Sequence, residues 1–246
     1  MKAILSNSFS FERVIQLCRR SIAIKKRMIM IGGAIIVGII ALLYIPMVAL
    51  APSNFKSLGP VNIMTIAFTL FTWAGYGLTS TMFEEINSAE FATQYFTLPA
   101  SSFEKLTSAL ALSYISYSIL GLFALHFISL ILGIDSNFIF KIETFNNLLI
   151  YTIFQSVFLF GAAYFKTNNF LSTVVSILAF MIVFSLIIFV LDYAGLSSEV
   201  WSALKIFSVE NSDSTSAIVK NLMVTFVVSG FFIWKAYRRL KNRQIA

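Results

Sequence analysis

Charge-free stretches constrain this chain more than any other feature. No Asp, Glu, Lys or Arg occurs in residues 28–55, 57–83, 106–134, 144–165, 167–191 or 221–234. A helix needs about 20 apolar residues to cross the hydrocarbon core of a bilayer. The first five stretches are long enough. The sixth reaches that length when it extends back to Ala217, with Lys220 snorkelling to the headgroups. The spacing predicts an all-α, polytopic membrane fold. Its six spans run at about 28–50, 61–82, 106–132, 147–165, 170–191 and 217–236. Only 12% of the 246 residues are charged, against about 25% in an ordinary soluble domain. The 26 Phe residues suit packing against acyl chains and interfacial belts.

The formal net charge of +7 would suggest nucleic acid in a soluble protein. Here it follows from topology, because the basic residues flank the apolar stretches, and no nucleic-acid partner is expected. Fourteen of the eighteen Lys and Arg fall before span one, from Lys235 onward, or at Lys105 and Lys166. By the positive-inside rule, both termini are cytoplasmic. Lys56, Lys141, Lys205 and Lys220 take the other side. Residues 25–51 resemble a signal peptide, but the apolar run exceeds the 7–15 residues of an h-region. It reads as a retained first span. One cysteine, Cys18, allows neither an internal disulfide nor a multi-cysteine metal site. One histidine, His126, does not make a histidine cluster.

Residues 1–27 read as a cytoplasmic, interfacial element. Phe11, Val14, Ile15, Cys18 and Ile22 recur at helical spacing, with Ser10 as N-cap and Glu12 in the first turn. Arg13, Arg19 and Arg20 occupy other faces. The pattern predicts a helix lying on the membrane, arginines against anionic lipid, that turns sharply at Lys25–Arg27. Residues 237–246 form a basic cytoplasmic tail.

The segment between spans two and three is the most distinctive. It holds Glu84, Glu85, Glu90 and Glu104, four of the eleven acidic residues. Ile86, Phe91, Tyr95 and Phe96 can anchor a first helix. Pro99 biases Leu98 out of the helical region and ends it. Ser101 and Glu104 then make a Ser-x-x-Glu capping box that opens the next helix. A plain connector could be much shorter, so the sequence predicts a small ordered acidic and aromatic knob on a basic face.

Polar residues inside the spans admit two readings. Tyr114, Ser116, Tyr117, Ser118, His126 and Gln155 can bond helix to helix, at about 0.6 kcal/mol each on average, or line a substrate path. No Asp or Glu lies deep in a span, which disfavours an ion-coupled carrier.

TLPASSFEKL, Thr97 to Leu106, resembles the signature after the second span in permeases of the ABC type-2 export family, especially the versions of Bacteroidetes-type bacteria. That resemblance implies six spans, an N-terminal connecting helix and a coupling helix in the first cytoplasmic loop. It implies a bacterial inner-membrane exporter subunit, a second permease copy or paralogue, and two cytoplasmic ATPase subunits that bind ATP and Mg2+. The coupling contact would include Glu84, Glu85, Glu90, Phe91, Gln94, Tyr95, Thr97, Leu98, Pro99, Ser101 and Glu104. The family also carries a re-entrant segment between spans five and six; a short helix capped at Ser197 or Ser198, or a plain outer loop, fits residues 192–216.

Nothing in the chain matches an ATP-hydrolysing motif. Lys56-Ser57 and Lys166-Thr167 follow Phe55 and Phe165, where a P-loop requires Gly. Glu84-Glu85 lacks the arginine of glutamate-type intramembrane proteases, position 89 being Ala. The chain therefore reads as a non-enzymatic permease with no cofactor of its own. The alternative is a membrane scaffold or sensor that docks a cytoplasmic partner through residues 84–104.

Overall fold

The structure is a computed structural model in which residues 9–50, 52–87, 89–131, 133, 142–193, 195 and 215–245 are described. Within those helices the side chains of 43, 46–50, 52–62, 89, 90, 94, 96, 142, 143, 215, 244 and 245 are not. The fold is all-α. Its elements are α1 (Phe11–Leu50), α2 (Pro52–Ser80), α3 (Glu84–Asn87), α4 (Ala89–Thr97), α5 (Ser102–Leu110), a π-helical segment (Ala111–Ser116), α6 (Tyr117–Ile131), α7 (Ile142–Tyr164), α8 (Asn169–Tyr193) and α9 (Thr215–Ile245). Among the described residues, four helical stretches are long and apolar enough to cross a membrane: Ser102–Ile131, Thr144–Tyr164, Asn169–Tyr193 and Ser216–Arg243. They coincide with predicted spans three to six. Predicted spans one and two fall in α1 and α2, where the side chains of residues 43, 46–50, 61 and 62 are not described.

Three boundaries differ from expectation. The sharp turn predicted at Lys25–Arg27 is absent, and α1 is a single helix of 40 residues. Neither Gly nor Pro interrupts Ile22–Ile31, so nothing breaks the hydrogen-bond ladder there. At 1.5 Å per residue it is about 60 Å long, roughly twice the hydrocarbon thickness of a bilayer. The basic tail from residue 237 is not a separate element either, because α9 stays helical to Ile245. Finally, the third span is interrupted by the π segment. Residues 196–214, with Ser197, Ser198 and Trp201, lie outside the described residues.

α7 packs closely along α9. Ala162, Ala163 and Ala236 are completely buried at that contact, beside Leu159 and Leu240. Small residues let membrane helices approach closely enough for dispersion and backbone contacts to hold them. Glycine plays the same part elsewhere. A Cβ on Gly121 would collide with the Phe71 ring across the α2–α6 contact, and one on Gly161 with Thr173 across α7–α8. The α7–α8 turn is closed by Asn168 in the left-handed region, φ 48°, a conformation Asn tolerates better than most residues. The carbonyl of Asn168 accepts from Ser172 N–H, starting α8. Further along, α8 exposes Phe180, Met181, Leu186, Phe189 and Val190, as expected of a helix whose surroundings are hydrocarbon rather than water.

Candidate functional site

The predicted knob is two helices rather than one, α3 and α4, followed by a four-residue hinge, Leu98–Ser101. α4 ends at Thr97. Ala100 N–H donates to Leu98 O at 2.7 Å, an i→i+2 bond that makes an inverse γ-turn on Pro99, whose fixed φ suits it. α5 then restarts with the full capping box. Glu104 N–H donates to Ser101 Oγ at 3.2 Å, and Ser101 N–H donates to Glu104 Oε2 at 2.7 Å.

Glu104 does more than cap its own helix. Its other oxygen, Oε1, accepts from Ser10 N–H at 2.8 Å and lies 3.0 Å from the Arg13 guanidinium. Ser10 opens α1, its carbonyl accepting from Val14 N–H. One fully buried carboxylate therefore sits at the N-termini of two helices, where two sets of free N–H groups and two helix dipoles favour negative charge. The 94-residue separation of Ser10 and Glu104 made this contact invisible to local pattern.

The rest of α1 is fastened to the same segment. Arg20 pairs with Glu85 at 2.7 Å. Lys25 is buried and donates from Nζ to Thr81 O at 2.6 Å, satisfying a carbonyl just past the C-terminus of α2. Burial pushes the Lys25 ammonium below its usual range, and Glu84 and Glu85 oppose that shift. Val14 and Leu17 are the apolar residues that α1 buries here, while Phe11, Ile15 and Ile22 remain exposed. So Arg13 and Arg20, expected on anionic lipid, are instead ion-paired with the 84–104 segment. Of the three, Arg19 is the exposed one. Alternating charge signs between α1 and the knob explain the choice, since a buried or half-buried carboxylate attracts the nearest guanidinium more strongly than a screened surface does.

Lys105, expected in a loop, is only 2% exposed. It donates from Nζ to Tyr95 O at 2.9 Å and lies 4.8 Å from the Tyr95 ring centre. It thus caps the last turn of α4 with a cation, where the dipole favours one. Burial drives the Tyr95 hydroxyl well above its usual pKa. From the other terminus, Arg243 Nη1 donates to Asn87 Oδ1 at 2.7 Å, and Asn87 Nδ2 donates to Phe165 O at 2.9 Å. The start of α1, the last turns of α9 and the α7–α8 turn converge on residues 84–104.

The exposed face of this assembly carries Phe91, Thr97, Pro99 and Ser101. Leu98 is half-buried against the core. Backbone positions of Glu90 and Gln94 lie on α4, but their side chains fall outside the described residues. Among the described residues, no group of three His, Cys, Asp or Glu could hold a metal ion.

Tyr114, Tyr117 and Gln155 bond between helices, whereas Ser118 Oγ and His126 Nδ1 find no hydrogen-bond partner among the described residues. Tyr114 and Thr152 hydroxyls are 2.8 Å apart, and Tyr117 Oη donates to Phe71 O at 2.8 Å. Gln155 Nε2 donates to Ser113 O at 2.9 Å and to Thr79 Oγ1. Ser113 lies inside the π segment, where the ordinary i→i−4 ladder is broken, so its carbonyl is open to a donor from α7. Sequence pattern did not flag the π segment. Ser118 Oγ and His126 Nδ1 are buried. Stacked rings, Phe71 on Tyr117 at 4.8 Å and Tyr76 on Phe158 at 4.8 Å, complete the seam.

No protein-family model, curated protein or solved structure matches this chain.

Proposed function

We propose that this chain is the six-span transmembrane permease subunit of an ABC exporter in a bacterial inner membrane, both termini cytoplasmic. Two copies, or this chain and a paralogue, form the transport unit with two separate ATPase subunits that bind ATP and Mg2+. The observation that carries this reading is the build of residues 84–104. A connector would be solvated and loose. This segment is anchored by Glu104, Glu85, Asn87 and Lys105 to α1, α9 and its own neighbours. It leaves an exposed rim of Phe91, Thr97, Pro99 and Ser101.

Closure of the ATPase dimer would press on that rim. The capping box makes Ser101 and α5 move together, and α5 continues through the π segment into α6. Gln155 and Tyr114 link that span to α7. The Tyr114 hydroxyl and Gln155 Nε2 are committed to these helix-to-helix bonds, and the reading places the substrate path at the seam between two copies.

The test is affinity purification from native membranes after crosslinking through cysteines placed at Glu90 or Thr97. A co-purifying ATPase subunit supports the reading. Its absence under both crosslinking conditions would sink it, and capture of a different soluble partner would favour the scaffold.

A further inference from the structure

An apolar groove of about 630 Å³ runs between α1, α2 and α6. On α1 its wall extends from Met28 to Ile40, about 18 Å at 1.5 Å per residue. Gly32, Gly33 and Gly77 leave it open, and a Cβ on any of them would meet nothing within 4 Å. The polar groups in the wall are already occupied. Ser80 and Thr81 hydroxyls donate to carbonyls of their own helix, and Tyr117 Oη donates to Phe71 O. A groove so lined has no use for water and suits a hydrocarbon chain.

At its basic end the groove shares Ser80, Thr81 and Phe170 with a second, polar cleft of about 610 Å³. That cleft is lined by Lys166, Thr167, Asn168, Asn169 and the carboxylate-bearing Glu84. Lys26 stands one turn before Ile29, on the α1 face that lines the groove, and both Lys26 and Lys166 are exposed. Lys25 stands beside Glu84 and offsets its charge. The mouth therefore carries a net positive charge over an apolar slot.

We propose that the groove and cleft together hold one anionic glycerophospholipid of the cytoplasmic leaflet. One acyl chain lies along α1 between Gly33 and Gly77, and the phosphate lies between Lys26 and Lys166. This rests on the membrane embedding and orientation of the proposed reading, not on the ATPase partner.

Native mass spectrometry of the full chain, extracted in mild detergent and exposed to equal phosphatidylglycerol and phosphatidylethanolamine, tests it. Wild type is expected to retain one phosphatidylglycerol per chain. Gly33→Leu and Gly77→Leu, which grow into open space, should each lower retention about tenfold, the effect of forfeiting roughly two buried methylene contacts. Lys26→Ala with Lys166→Ala should abolish the preference for phosphatidylglycerol while leaving the far-ultraviolet dichroism unchanged. Retention of no lipid, a preference for phosphatidylethanolamine, or undiminished retention in both glycine variants overturns the proposal while leaving the permease reading standing. Recovery of the chain outside the membrane fraction would overturn both.

Discussion

A single carboxylate organises the end of the bundle where the chain's basic residues collect. Glu104 accepts two backbone N–H bonds and one guanidinium from two helices far apart in sequence. Removing it leaves Arg13 beside an empty, buried site, the case in which losing one partner of an ion pair costs most. Glu104→Ala should lower stability in detergent by about 3 kcal/mol, read from the unfolding midpoint, with membrane insertion unchanged. An effect below about 1 kcal/mol would show that the two helix N-termini find water as good a partner. Cys18 offers an independent readout. Its thiol is half-buried, sits 3.6 Å from Ser108 O, and is pushed above its usual pKa by burial. Since the thiolate is the reactive form, Cys18 should react slowly with maleimide in the wild type. It should react about tenfold faster in Glu104→Ala, if that substitution lets the start of α1 lift from α5.

At the scale of elements, the hinge between α4 and α5 is the point of interest. Pro99 fits its γ-turn without donating a hydrogen bond, so Pro99→Ala adds chain freedom but removes no contact. The expected stability loss is under about 1 kcal/mol. If the segment transmits force, coupling of ATP hydrolysis to transport should fall far more than stability does. Reconstituted ATPase and transport assays read that difference, and unchanged coupling would count against the role assigned to residues 84–104. Helix contacts built on glycine make a contrasting prediction. Gly161→Leu must displace Thr173 at the α7–α8 contact. It should cost about 1–3 kcal/mol through overpacking, visible as a lower thermal midpoint without any change in the maleimide reactivity of Cys18.

For the whole molecule, the convergence of α1, α3–α5, the α7–α8 turn and α9 on one end gives topology a sharp test. Arg13, Arg20, Lys25 and Arg243 all meet residues 81–104 there. A protease-sensitive tag at either terminus should be cleaved only from the cytoplasmic side, and one inserted within residues 196–214 only from the other. Cleavage of the two terminal tags from opposite sides would rule out an even number of spans. The exposed apolar length of α8 belongs to this scale as well, because its environment is decided outside the chain.

The all-α class, the four long apolar helices that could cross a membrane and the capping box were written in the sequence. Each depends on charge-free length or on residues three or four positions apart, and local physics reads such signals directly. The ion pairs of α1 were not legible for the opposite reason. Periodicity shows that α1 has an apolar face, but not that Val14 and Leu17 would be buried while Phe11 and Ile22 stayed exposed. Nor could spacing reveal that Arg13 and Arg20 had carboxylates waiting, since those partners are supplied by another helix. The same holds for the π segment, where Gln155 reaches a carbonyl 42 residues away. Long apolar stretches determine that helices form and where they can reside. Which polar groups they bring together depends on how the helices pack, and only the tertiary structure decides that.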